Sequence, residues 1–475
     1  MAHKRVVLCL LGTALAASMF SGCAGKKSDP VTITVWTYYN GDQLDTFNDL
    51  TEKFNETVGE KEGITVESKS LGTAEDLEKN VLAAADGEVG ASEVPNIFSA
   101  YSDTAYTMDQ KDMLVDLSDY LTDKEKEEYV DGYLKEGDFS DDGSIRIFPT
   151  AKSTELLFLN DTDWQKFAAD TGAQYEDLET IEGLVDTAEK YYDWTDSQTP
   201  DQPDDGKALF GRDAMANYIL VGAKELGCDI FEVKDGKMSL NFDKDVVRKL
   251  WDNYYVPYIK GYFSASGRFR SDDVKTGNVI GYVGSTSSAT FFPTQVSNDD
   301  GDTYDISLKV LPCPKFKDGD NYAVQQGAGM VVTKGSEDEI KASVEFLKWF
   351  TEPENNIEFS VGSGYLPVTK EANSIDKIKS VESDISSSME EILSKSVDEI
   401  NNNDLYYMHA FANGNDARTA VQSAFGDVAQ QDRATVEERI SEGQSAEEAE
   451  AEFLTDEYFE SWYENVLSEL QAYEG

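Results

Sequence analysis

Between residues 31 and 101 the chain alternates short apolar strands with amphipathic stretches, and this alternation limits the fold more than any other feature. In "VTITVW" (31–36), Ile33 and Val35 alternate with threonines, the period of a strand. Leu44, Phe47, Phe54 and Val58 then recur near helical spacing, and Gly59 and Gly63 mark the exit. "GITVES" (63–68) reads as a second strand, a helix follows through Leu77, Val81 and Leu82, and "PNIFSAY" (95–101) reads as a third strand running into a loop. Strand–helix–strand–helix–strand predicts a parallel, doubly wound α/β lobe, because parallel neighbours need a crossover connection. Further strands are predicted at 144–148, 155–159, 278–283, 306–311 and 328–332. Amphipathic helices are predicted at Leu220–Leu226 and Val246–Tyr254, with a Pro/Asp/Gly-rich surface loop at 199–207. Ser336 with Glu339 forms a capping box ahead of the apolar face Ile340, Val344, Leu347 and Phe350, and Pro353 stops that helix. From about Ser383 the chain reads as mostly helix, with an aromatic-rich close around Trp462 and no internal repeat.

The N-terminus points to export. Lys4 and Arg5 precede an uncharged run, Val6 to Met19, that is too short to span roughly 30 Å of hydrocarbon and fits a signal peptide. Phe20-Ser21-Gly22-Cys23 resembles the bacterial lipobox, with Phe20 where that motif prefers Leu. The resemblance implies cleavage after residue 22, acylation of Cys23, a polar tether over 23–30 and a lipid anchor at the extracytoplasmic face of the cell membrane. Removing residues 1–22 leaves 453, enough for two or three lobes with real cores. The whole chain has 41 basic against 92 acidic residues, a formal charge of −51, which argues against nucleic acid as a partner and disfavours polyanions without a local basic pocket. Beyond Cys9 and Cys23, only Cys228 and Cys313 remain, as a disulfide or as two buried thiols.

Several segments fall into one larger pattern: a strand ending in Trp36, "PNIFSAYSD" (95–103), "FPTAKSTELLFLN" (148–160), "VKTGNVIGYVGSTS" (274–287), "VLPCPKF" (310–316) and the long block 326–368 containing "KWFTEP" and "GYLPV". In content and order these resemble the family 1 extracellular solute-binding proteins, the maltose-binding-like receptors of ABC importers. The resemblance implies an α/β fold of two doubly wound lobes joined by hinge strands, periplasmic binding protein type II-like, with ligand in the cleft. It places lobe 1 at 31–149 plus 314–355 and lobe 2 at 150–313 plus 356–475. The crossings are then "FPTAKST", "KVLPCP" and residues 351–365, where Pro149, Pro312 and Pro314 would limit hinge freedom. It also implies a monomeric binding protein without catalytic activity, cofactor or metal, whose partners are a small solute and ABC permease subunits.

In open α/β sheets ligands sit beyond the carboxyl ends of strands, which singles out four loops without any family. After Trp36 come Tyr38, Tyr39, Asn40 and Asp42; tyrosine rings suit the C–H faces of sugars, though one of the two can equally be core. After Phe98 come Tyr101, Ser102 and Asp103, where Asp103 could accept from vicinal hydroxyls or cap the next helix. Lys152 and Glu155 lie at the first crossing, as ligand contacts or as a hinge salt bridge. Gly284, Ser285 and Thr286 follow Val283, either admitting a ligand close to the backbone or making a tight turn. Tyr365 either stacks on ligand or braces the hinge, and Arg212 and Trp251 are second-lobe candidates.

Catalytic readings have little material. His3 leaves with the signal, so His409 alone would have to serve any Ser-His or Cys-His arrangement, and zinc sites lack ligands. "DFSDDG" (138–143) begins like a calcium loop, but its twelfth position is Pro149. A surface glycoside hydrolase remains the rival class, since it needs only two carboxylates about 5 to 9.5 Å apart; a purely structural surface lipoprotein is a third. With 24 Tyr, 23 Phe and 6 Trp the favoured ligand is a mono- or oligosaccharide. The alternative is a polyol or a glycerol phosphodiester, which would call on Lys152 or Arg212.

Overall fold

The computed structural model describes residues 30–234, 236–297 and 301–475. The signal segment, the lipobox with Cys23 and most of the tether lie outside the described residues.

Two four-stranded sheets organise the chain. In the first, the order is Gly329–Val332, Ile97–Ala100, Val31–Thr37, Ile64–Ser70. Val31 pairs with Ile64 and Val35 with Ile97 in parallel, while Gly329 faces Ala100 antiparallel. Ile33 and Val35 are fully buried, and the alternating threonines meet the opposite face. The helices Gly41–Phe54 and Glu337–Phe350 bury Phe47, Leu50, Phe54, Phe346 and Phe350 on this sheet. Helix Ala74–Ala85 starts where Thr73 accepts from the Asp76 amide, and Ser336 and Glu339 close the expected capping box.

The second sheet runs Leu308–Pro312, Glu155–Asn160, Gly281–Ser285, Phe210–Arg212. It is mixed, since only the last pair is parallel. Helices Met215–Glu225, Lys244–Ile259, Gly414–Ser441 and Asp456–Leu470 share its core. Cys228 and Cys313 are free thiols. Among the described residues no helix is long and apolar enough to cross a membrane.

Three local expectations change. "SIRIF" (144–148) is not a strand: Ile145 and Ile147 are buried, but the Ile145 amide bonds to Asp116 and the Arg146 amide to the Gly137 carbonyl, so only Phe148 bridges to Met330. Residues 351–365, expected as a crossing, contain the helix Pro353–Ser363, in which Pro353 opens a helix as well as following one. That helix packs on Gly41–Phe54, and Ile357 through Ile400 contribute to the first core. The chain passes to the second core over residues 403–413, where Asp404–Tyr406 pairs in parallel with Tyr322–Val324. Near the first crossing, Lys152 bridges to Leu366 and Ser153 to Gln326, so the connecting segments lie side by side beneath a cleft.

Candidate functional site

The cleft lies at the carboxyl ends of Val31–Thr37 and Ile97–Ala100 in the first sheet and of Phe210–Arg212 and Gly281–Ser285 in the second, where the antiparallel strands Gly329–Val332 and Glu155–Asn160 begin, and its first wall comes from the first sheet. Strand Val31–Thr37 delivers Tyr38 and Tyr39 in opposite directions, because successive side chains alternate. Tyr39 is buried against Phe47 and Phe359 as a core residue. Tyr38 instead stacks on Tyr101, with centroids 6.1 Å apart and planes at 20°, and its hydroxyl lies 3.3 Å from that of Tyr365. Tyr101 remains 46% exposed, offering an unburied ring on a fixed support. Next to it, Asp103 Oδ1 is buried without a hydrogen-bond partner. Burial pushes the Asp103 carboxyl up to about 6; Arg418 opposes the rise, and Glu78, Glu136 and Asp416 add to it.

Two buried ion pairs form the floor. Lys152, fully buried, pairs with Glu136 and donates to the Gly327 carbonyl at 2.8 Å. Glu136 also accepts from Gln325 Nε2 at 2.6 Å and Ser102 Oγ at 3.0 Å, so both its oxygens are engaged. Arg212 donates to Glu155 at 3.2 Å, Asn217 donates to the other Glu155 oxygen at 2.8 Å, and Arg418 donates to Asn217 Oδ1 at 2.6 Å. Burial raises the Glu155 carboxyl, with Arg212 and Asn217 opposing. Lys152 and Glu155 are thus not partners of each other; each is neutralised by a residue distant in sequence, as burial of a charge requires.

The second wall follows strand Gly281–Ser285. Ser285 Oγ donates to Ser153 Oγ at 3.2 Å and caps the Ser287 amide. Thr286 is turned inward, its amide bonded to the Thr154 carbonyl, and Gly284 lies tight against Tyr282, where a methyl group would meet the ring at 2.9 Å.

A central cavity of about 470 Å³ collects Tyr101, Ser102, Asp103, Ser285 and Tyr365 from the sequence candidates. It adds Glu136, Asn217, Gln325, Gln326, Tyr406, Tyr407, Met408 and Arg418, which the sequence reading missed. Tyr38 lines an adjoining chamber of about 340 Å³ that shares Tyr101, Asp103 and Asn415 with the centre. Asn40 and Asp42 line a third cavity of about 730 Å³ at the lip, which meets the centre at Ser287. Glu155 and Arg212 stand behind the wall, with Asn217 between them and the cavity. Trp251 is elsewhere: it is packed in the second core, 3.6 Å from the Tyr255 ring centroid and 4.3 Å from that of Trp462. Among the described residues no group of three His, Cys, Asp or Glu could hold a metal ion. Stacking rings, fixed acceptors and a few donors suit reversible capture of a small polar molecule.

Comparison with known proteins points the same way. Residues 49–384 match the family described as bacterial extracellular solute-binding protein. The cyclic alpha-maltosyl-1,6-maltose binding protein of Arthrobacter globiformis is similar over 93% of this chain and 99% of its own, with 17% identity and a TM-score of 0.67. UgpB of Mycobacterium tuberculosis, in complex with glycerophosphocholine, gives 94% and 98% coverage, 17% identity and 0.65. The ABC substrate-binding protein Lmo0181 of Listeria monocytogenes, in complex with cycloalternan, gives 93% and 100%, 15% and 0.61. At these identities the likeness concerns the fold. No curated protein matches in sequence.

Proposed function

The chain belongs to the bacterial extracellular solute-binding proteins, and from that membership we propose that it captures a carbohydrate in the cleft between two lobes and hands it to an ABC permease. Tethered through an acylated Cys23, it acts as a monomer at the outer face of the cell membrane. One lobe is built on the first sheet and includes residues to about 400; the other is built on the second sheet with the C-terminal helices. Tyr38, Asn40, Asp42, Tyr101, Ser102, Asp103, Ser285 and Tyr365 are the proposed ligand contacts among the sequence candidates, while Lys152, Glu155, Arg212, Gly284 and Thr286 shape the floor and wall.

The observation that carries the reading is the Tyr38–Tyr101 stack, with Tyr101 half exposed in the central cavity that Asp103 also lines. A ring face covers the C–H face of a sugar, and the carboxylate accepts from its hydroxyls. Family members are binding proteins, and in the central cavity the carboxylate that accompanies Asp103, Glu136, is held by Lys152, Gln325 and Ser102 rather than free to act on a glycosidic bond. Arg418 favours a second reading, a glycerol phosphodiester, such as UgpB holds; against it stands Asp103 beside the same cavity.

Calorimetry with mono- and oligosaccharides tests the proposal. Tyr101→Ala is expected to weaken binding of the preferred sugar about tenfold, the loss of one stacked ring and its buried area. Glycerophosphocholine binding with no response to any sugar would overturn the carbohydrate reading in favour of the diester.

A further inference from the structure

Arginines in this chain mostly meet a carboxylate. Arg146, Arg212, Arg248, Arg270, Arg433 and Arg439 each lie within ion-pair distance of an aspartate or glutamate. Among the described residues Arg268 and Arg418 do not. Arg268 lies over the ring of its neighbour Phe269, whereas Arg418 lines the central cavity. With 92 acidic residues against 41 basic ones, a guanidinium left without a counter-charge is the exception. It is also held in place. Arg212 and Asn217 both donate to Glu155, and Asn217 Oδ1 accepts from Arg418 Nη2 at 2.6 Å. Asn217 is only 2% exposed, so this support is fixed. The acids of the cavity do not neutralise Arg418. Glu136 is paired with Lys152, and Asp103, beyond ion-pair distance, has Oδ1 seated against Gly414, where a methyl group would lie 2.7 Å away.

We propose that the captured saccharide is acidic: a hexuronate, or a short oligosaccharide with one uronate unit, whose ring stacks on Tyr101 and whose carboxylate is bound by Arg418. The inference rests on the carbohydrate reading of the cleft. The planar guanidinium fork matches a carboxylate through two parallel N–H···O bonds. Neutral hydroxyls would occupy the donors but leave the charge uncompensated once water is shut out, which is costly. One acid is provided for, because the neighbouring cations Lys152 and Arg212 are already committed to Glu136 and Glu155. The negative surplus of the whole chain disfavours a polyanion. The two contacts belong to different halves: Tyr101 opens helix Ser102–Gln110 at the end of the first sheet, and Arg418 lies in helix Gly414–Ser441, which packs in the second core. An acidic sugar held at both would span the cleft.

Calorimetry on the purified chain decides the matter by comparing each acid with a neutral counterpart: glucuronate with glucuronamide and glucose, galacturonate with galactose, and a disaccharide carrying one uronate with its neutral analogue. The expected result is an acid bound about tenfold or more tighter than its counterpart. That advantage should shrink as salt is raised from about 20 mM to about 500 mM. Arg418→Gln should bring the acid and its counterpart within about twofold of each other, and Arg418→Lys, which keeps the charge and loses the fork, should retain only part of the difference. Neutral sugars bound with no acid preferred would overturn the acidic ligand and leave the carbohydrate reading intact; this comparison needs no variant. An acid preference that survives Arg418→Gln would overturn the role of Arg418. Silence towards every sugar, with or without a response to glycerophosphocholine, would remove both readings.

Discussion

The two rims of the cleft are built on opposite plans. On the rim formed by helix Ser102–Gln110, the halves touch where one of them has no side chain. A methyl group at Gly414 would lie 2.7 Å from Asp103 Oδ1, and one at Gly236 would lie 2.5 Å from Tyr106 Oη. Tyr407 Oη adds a bond to the Lys135 carbonyl at 3.3 Å. On the other rim Phe269 and Phe291 stand exposed over a cavity of about 730 Å³. Side chains seated on bare glycine backbone on one edge and large rings without contact on the other divide two tasks: the first edge fixes how closely the halves approach, and the second leaves room for what enters between them.

That contrast can be broken at its base. Both rims rest on the floor, where Lys152 pairs with Glu136. Lys152→Met leaves a buried carboxylate held only by Ser102 and Gln325, and urea denaturation is expected to show a loss of about 3 kcal/mol. Stability within about 0.5 kcal/mol of wild type would mean that the floor does not organise the rims.

A smaller and more selective effect is expected from Gly414→Ala. The added methyl has no space against Asp103 and should force the touching rim apart, raising the radius of gyration of the ligand-free protein in small-angle scattering and weakening ligand binding about threefold. Phe291→Ala, on the other rim, should leave the scattering curve unchanged.

The smallest expected effect is in pH. Burial holds Asp103 at about 6, above the ordinary carboxylate value, so the folded protein takes up this proton before the unfolded chain does. Its contribution to stability is therefore fully present near pH 4 and lost as pH rises through about 6. Glu225, raised by burial to about 7, slopes the same way, so the informative quantity is the difference between wild type and Asp103→Asn. The variant should gain on wild type in urea midpoint between about pH 4 and pH 6; a constant difference would place Asp103 in water rather than against Gly414.

What could be read in advance follows from how far each residue's partners lie along the chain. The first sheet depends on local alternation and on caps such as Ser336–Glu339, both written in a few consecutive residues. Tyr101, Ser102 and Asp103 were legible because strand ends point into clefts whatever the rest of the chain does. Arg418, Gln325 and Tyr406 were not, because the crossing segments bring them to the cleft and their periodicity reports only a helix or a short strand. Glu155 meets Arg212 across 57 positions, a pairing no spacing rule reports. Trp251 shows the reverse error: an aromatic candidate whose neighbours Val247, Leu250, Tyr254 and Tyr258 recur at helical spacing, so the stripe belonged to the core.

The bare backbone at Gly414 has a genetic corollary. No replacement at 414 can keep the contact, since every other residue begins with the same carbon, but the opposing residue can be shortened. A second-site change such as Asp103→Ser should therefore relieve the crowding in Gly414→Ala, and the radius of gyration of the ligand-free double variant should return towards that of wild type.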